Sequence, residues 1–226
     1  LAVFAVIAYH FNLTWAQGGL LGVSLFFVLS GYLITGILLA QWEKSGTIDL
    51  KDFWLRRARR LLPAFFAMLA GVMSWIMLFA PERLAAMKNE ALASVFYSSN
   101  WYLIFHQLSY FERFGPPSPL GRLWSLAVEE QFYLFWPLLL GLGLRFLAKR
   151  KWIIGGTVAI ALISITAMAL IYTPGDDPSR VYYGTDTRAF ALLVGAVLAM
   201  VMHGDRMAAN LTEKKRLALD VIGSMG

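Results

Sequence analysis

Three stretches of this chain run without a charged residue for long enough to cross a bilayer: residues 20–40 and 61–81, each 21 residues, and 152–175, 24 residues. A helix needs about 20 predominantly apolar residues to span the hydrocarbon core, and a water-soluble fold has little use for three such runs. Weaker blocks of the same kind lie at 1–11, 123–144 and 188–202. The expected fold class is therefore all-α: a polytopic transmembrane helix bundle of about six spans, the first of them truncated. Composition agrees, with 58% hydrophobic residues, 15% charged residues and a mean hydropathy of +0.60. Roughly 25% charged is ordinary for a soluble domain.

The basic residues predict an orientation. Lys44, Lys51, Arg56, Arg57, Arg59 and Arg60 lie between the second and third spans, and Arg145, Lys149, Arg150 and Lys151 follow the fourth. Arg206, Lys214, Lys215 and Arg216 follow the sixth. Lys and Arg collect in cytoplasmic loops, so 41–60 reads as a cytoplasmic basic loop and 82–122 as an extracytoplasmic one. The same topology accounts for the net charge of +6 and pI near 9.7 without nucleic acid. The partner is a lipid bilayer, and the sequence leaves the oligomeric state open. There are no cysteines, which excludes thiolate nucleophiles and thiolate metal sites. Three isolated histidines argue against a catalytic metal.

Ionisable residues inside spans are costly and default to functional candidates. In LWSLAVEEQFYLFWP, residues 123–137, positions i, i+4 and i+8 share a helix face. Ser125, Glu129 and Tyr133 therefore stack, while Glu130 projects about 100° away beside Leu126, Leu134 and Pro137. This face favours Glu129 over Glu130; the plainer alternative puts both carboxylates at the interface, one of them neutralised by Arg122. His10 reads either as a hydrogen-bonded core histidine or as a proton shuttle. Arg57 and Arg60 share a face at i, i+3 and serve equally as topological anchors or as bidentate phosphate ligands. Ser24, Ser30 and Gly31 suit close helix packing. Arg188 either snorkels to the headgroups or pairs inward with a carboxylate such as Glu129.

In chain order, AYHF, GVSLFFVLSGYLIT, RRARRLLPA, LWSLAVEEQFYLFWP and TDTRAFALLVGAVLA resemble the core of the acyltransferase-3 membrane family. These are bacterial inner-membrane O-acyltransferases that act on cell-surface sugars. The resemblance runs from residue 1 to about 202 and implies a bundle of roughly ten spans, so residues 1–226 are expected to be a partial domain, truncated at both ends. It implies that His10 is the essential histidine, that the arginine motif falls on Arg57 and Arg60, and that the carboxylate motif falls on Ser125, Glu129, Phe132 and Tyr133. The arginine that usually stands eleven positions before the histidine would precede Leu1. Ser24 stands where many members have Asp, and Arg122 where many have His.

The expected function is transfer of an acyl group, most simply acetyl, from cytoplasmic acetyl-CoA to a hydroxyl of an extracytoplasmic glycan or lipid-linked sugar. His10 and Glu129 are the catalytic candidates, Arg57 and Arg60 the donor-binding ones, and Ser125, Tyr133, Ser30 and Arg188 support the site. No metal is expected, and the location is the bacterial cytoplasmic membrane. A transporter or proton-coupled channel would also place His, Glu and Arg in the membrane. It predicts paired inverted repeats, and the sequence contains no such symmetry. A regulatory membrane subunit without an active site is a third possibility.

Overall fold

The computed structural model describes residues 21–111, 118–147 and 149–204, and every regular element among them is helical. Five helices are long: α1 (Leu21–Ser45), α2 (Leu50–Phe79), α5 (Trp124–Phe146), α6 (Arg150–Ile171) and α8 (Thr185–Gly204). Between them lie the short α3 (Leu84–Val95), α4 (Ser99–Phe105) and α7 (Ser179–Tyr183). Four of the long helices, all but α5, are long and apolar enough to cross a membrane. In α5 the consecutive Glu129, Glu130 and Gln131 lower the apolar character of an otherwise sufficient length. The first expected span lies outside the described residues, so six spans reduce here to four clear ones and α5.

The directions of the helices follow from their contacts. Ser24 meets Arg188 near the start of both α1 and α8. Further along, a Cβ added to Gly31 would overlap the Leu192 carbonyl, and one added to Gly195 the Val28 carbonyl. Those two helices therefore run side by side in the same direction, backbone against backbone, which only glycine permits. Tyr133 and Trp136 of α5 reach Ser30 and Thr35 of α1 in matching order, so α5 is parallel to them. Helix α6 is antiparallel: Ser164, late in its sequence, donates to the Asp186 carbonyl at the start of α8 (2.6 Å). Phe27, Leu38, Val128, Leu140 and Leu192 fill the interior. Leu29, Leu33, Ile163 and Leu170 face outward, as lipid-facing residues do.

Two connections differ from the loops expected at 41–60 and 82–122. Residues 41–45 complete α1, and α2 begins at Leu50, where Asp49 caps it by accepting from the Asp52 amide (2.9 Å). Asp52 then pairs with Arg56 one turn on. Capping and this i,i+4 pair carry the helix through the charged segment, so its four arginines stand on the first turns of a 30-residue rod. At about 1.5 Å per residue that rod is about 45 Å long, more than the roughly 30 Å hydrocarbon core requires.

The second connection folds back on the bundle. Helices α3 and α4 form a hairpin whose tip, at Tyr97, reverses the chain with a left-handed φ of 50°. The Tyr97 ring lies against Phe65 at the middle of α2 (5.9 Å between centroids), and its carbonyl accepts from Gln131 Nε2 (2.7 Å). Asn100, fully buried, donates to the Tyr183 carbonyl (3.1 Å) and to Thr185 Oγ1 (2.9 Å), and accepts from Gln131 (3.0 Å). Thr185 closes the ring by donating to Gln131 Oε1 (2.5 Å). Every polar side-chain group of this Asn100–Gln131–Thr185 ring is paired, as burial demands.

Candidate active site

The site is assembled where α1 and α2 both pack on α5. Pro137 has no N–H, so the carbonyl of Tyr133, four residues earlier, loses its helical partner. The indole of Trp54 donates to that carbonyl at 3.0 Å. This contact sets α2 antiparallel against α5 and places Arg57, one turn beyond Trp54, opposite Glu130, one turn before Tyr133. Arg57 donates through Nε (2.8 Å) and Nη2 (2.6 Å) to Glu130 Oε1, and its guanidinium lies 3.4 Å from the centre of the Tyr133 ring. The ion pair is largely sheltered, with side-chain exposures of 26% and 11%.

On the α1 side, the hydroxyls of Ser30 and Tyr133 hydrogen-bond each other. The Glu129 carboxyl lies within hydrogen-bonding reach of both and within the field of Arg57. Five side chains from three helices thus meet: Ser30, Arg57, Glu129, Glu130 and Tyr133. A charged pair, a second carboxyl and two hydroxyls inside an apolar bundle can hold and move protons and stabilise developing charge.

The expected residues divide as follows. Glu129, Tyr133, Ser30 and Arg57 come together. Ser125 shares their helix but makes no hydrogen bond to the cluster among the described residues. Arg60, on the same helix as Arg57, is exposed. Arg188 does not join Glu129; it donates to the Tyr182 carbonyl (3.1 Å) and to Ser24 (3.3 Å) and lies over the Tyr182 ring (4.4 Å). Arg122 is exposed and forms no ion pair with either glutamate. His10 lies outside the described residues. Among those residues no cluster of His, Asp and Glu has the make-up of a metal site.

Glu130 is the main difference from the sequence reading, which set it aside as the carboxylate without neighbours. The 100° that separates it from Glu129 turns it away from α1 and straight onto α2. Helical periodicity within one segment gives the faces of α5 but not the number of helices those faces meet. Trp54 and Gln131 were also missed. Signals existed for both: Pro137 announces a freed carbonyl at Tyr133, and Gln131 is a third polar residue in an apolar run.

These features define a multi-pass membrane protein with a polar, ionisable cluster at a junction of three helices. The family model described as an acyltransferase domain matches residues 1–219, and the chain belongs to that acyltransferase family. It is 52% identical over 225 residues to the peptidoglycan O-acetyltransferase OatA of Listeria monocytogenes, covering 100% of this chain and 36% of that protein. It is 42% identical over 225 residues to the O-acetyltransferase OatA of Staphylococcus aureus, covering 100% of this chain and 37% of that protein. The chain thus spans about a third of the length of these relatives. No solved structure matches it.

Proposed function

We propose that this chain forms part of a membrane O-acetyltransferase that moves acetyl from cytoplasmic acetyl-CoA to a hydroxyl of an extracytoplasmic cell-wall glycan, in a bacterial cytoplasmic membrane. The observation that carries the reading is the junction of Ser30, Glu129 and Tyr133 with the Arg57–Glu130 pair inside the bundle. Family membership and the peptidoglycan O-acetyltransferase name of the Listeria relative support the reaction class and the acceptor.

In this reaction the acceptor hydroxyl oxygen attacks the thioester carbonyl carbon. A C–O bond forms, the C–S bond breaks, and the thiolate leaves. His10 takes the hydroxyl proton as general base and returns it to the departing sulfur. Glu129, with Ser30 and Tyr133, supplies a carboxyl and two hydroxyls that hold or pass on a proton within the bundle; Ser125 lies on the same helix face. Arg57 and Arg60 hold the phosphates of the donor. The chemistry requires no metal.

Glu129→Gln in the full-length protein tests the reading. It keeps shape and hydrogen-bonding capacity but removes the charge, and should lower acetyl transfer at least a hundredfold while leaving insertion intact. That loss is within the range general acid–base groups contribute, about 10²–10⁴-fold. Transfer within a factor of three of the parent would remove Glu129 from the mechanism.

A further inference from the structure

A second polar feature lies apart from this junction. Ser24 precedes Ser30 by six residues on α1, about 9 Å along the axis, and there α1, α6, α7 and α8 line an open cavity of about 370 Å³. Its walls are apolar, from Phe111, Met168, Ala169 and Val181, and its polar groups are Arg188 and Ser24 with the rings of Tyr172 and Tyr182 alongside. The Arg188 guanidinium has only neutral partners among the described residues: the Tyr182 carbonyl, the Ser24 hydroxyl and the Tyr182 ring face. Among the described residues, Asp186 is engaged by Arg180 (3.0 and 2.8 Å) and Glu130 by Arg57, and neither pairs with Arg188. A cation inside an apolar segment without a counter-charge is expensive. Hydroxyl and carbonyl dipoles satisfy its geometry but not its charge.

We propose that this cavity binds a membrane amphiphile with an anionic head: phosphate or carboxylate oxygens on Arg188 and Ser24, hydrocarbon along Met168, Ala169 and Tyr172. The charge selects an anion, since a guanidinium fork matches two such oxygens. The mostly apolar lining selects an anion that carries a chain over a free ion. The site lies near the start of α1 and α8 and the end of α6, at one end of the bundle, where lipid headgroups are found. It is independent of the acyl-transfer reading, because none of its walls belongs to the Ser30–Tyr133 junction.

The test uses the full-length protein in nanodiscs of phosphatidylcholine, with and without phosphatidylglycerol, read by thermal unfolding and by lipid retained in native mass spectrometry. Ser24→Asp supplies an internal carboxylate beside Arg188 and keeps that side chain in place; Arg188→Gln removes the charge. Phosphatidylglycerol should raise the unfolding temperature of the parent and be retained by it, and both variants should bind it at least tenfold more weakly. Equal stabilisation of the parent and Ser24→Asp would overturn the proposal, as a general lipid effect. Inorganic phosphate giving the same Ser24→Asp-sensitive stabilisation in pure phosphatidylcholine would overturn it too, by showing that the chain is not recognised.

Discussion

The indole of Trp54 donates to the backbone carbonyl of Tyr133, 3.0 Å away, which Pro137 leaves without its helical partner. A proline that weakens one helix thereby creates the docking point for another. The ion pair beside it, Arg57 on Glu130, sits one turn after Trp54 on α2 and one turn before Tyr133 on the antiparallel α5. The position of Arg57 is thus tied to the docking of a neighbouring indole.

This relation makes a double-variant experiment decisive. Trp54→Phe should cost about 1–3 kcal/mol, the penalty for a buried acceptor left unsatisfied. Pro137→Ala restores an N–H that reaches the same carbonyl, so in its background Trp54→Phe should cost little. The readout is unfolding in detergent, with acetyl transfer as a parallel assay. Additive effects in the two variants would show that the carbonyl is not the shared partner.

The two motif arginines should separate in their behaviour. Arg60 is exposed, so Arg60→Lys should leave stability unchanged and weaken donor binding tenfold or more, the equivalent of about 1.4 kcal/mol. Arg57 is tied to Glu130 through two donors, and an ammonium cannot reproduce that fork. Arg57→Lys should therefore lower thermal stability as well as donor affinity, and Glu130→Gln should reproduce the stability loss. Donor affinity measured in nanodiscs, unchanged in Arg60→Lys, would place the donor's phosphates elsewhere.

Gly31 and Gly36 lie on the same helix with opposite requirements. A Cβ at Gly31 meets the Leu192 backbone, whereas one at Gly36 has nothing within 4 Å. Gly31→Ala should force α1 and α8 apart at a cost of about 1–3 kcal/mol. Gly36→Ala should be neutral or stabilising by about 0.5–1 kcal/mol, because it lowers the entropy of the unfolded chain. Limited proteolysis or thermal unfolding of the pair distinguishes them, and equal losses would contradict the close crossing.

Glu90 on α3 gives a pH signature. Burial pushes its carboxyl above the ordinary value of 4.5, against the opposing pull of the Ser118 hydroxyl, which donates to it at 2.7 Å, and of Arg83. For a carboxyl raised on folding, the favourable contribution is fully present below the unfolded value and is lost as pH rises through the folded one. The parent should therefore gain stability relative to Glu90→Gln as pH is lowered from 8 towards 5. Unfolding temperatures of the two proteins that stay parallel across that range would remove Glu90 as the source.

Much of the fold could be read from the chain because lipid imposes a simple rule on length and charge. The charge-free runs at 20–40, 61–81 and 152–175 fall on α1, α2 and α6. The i, i+4 relation between Glu129 and Tyr133 held in space. What the chain did not disclose depends on neighbours that are remote in sequence. Glu130 meets Arg57 across 73 positions, and no local pattern encodes that meeting. The return of α3 and α4 into the bundle was hidden for another reason. The buried amide of Asn100 looks solvated until its partners, Gln131 on α5 and Tyr183 and Thr185 beside and on α8, are known.

The ring formed by Asn100, Gln131 and Thr185 also imposes a timetable on biogenesis. Asn100 finds its partners 83 and 85 positions later in the chain, at Tyr183 and Thr185. At about 5–20 residues per second, a ribosome takes roughly 4–17 s to make them. Gln131 can reach the Asn100 carbonyl oxygen once α5 is made, but throughout that interval the amide N–H donors of Asn100 lack their partners, beside a membrane that penalises them. The hairpin must wait outside the bundle, or on the insertion machinery, until α8 arrives to close the ring. Nascent chains halted before residue 179 should thus leave position 100 open to water-borne cysteine reagents, and chains released after 204 should not.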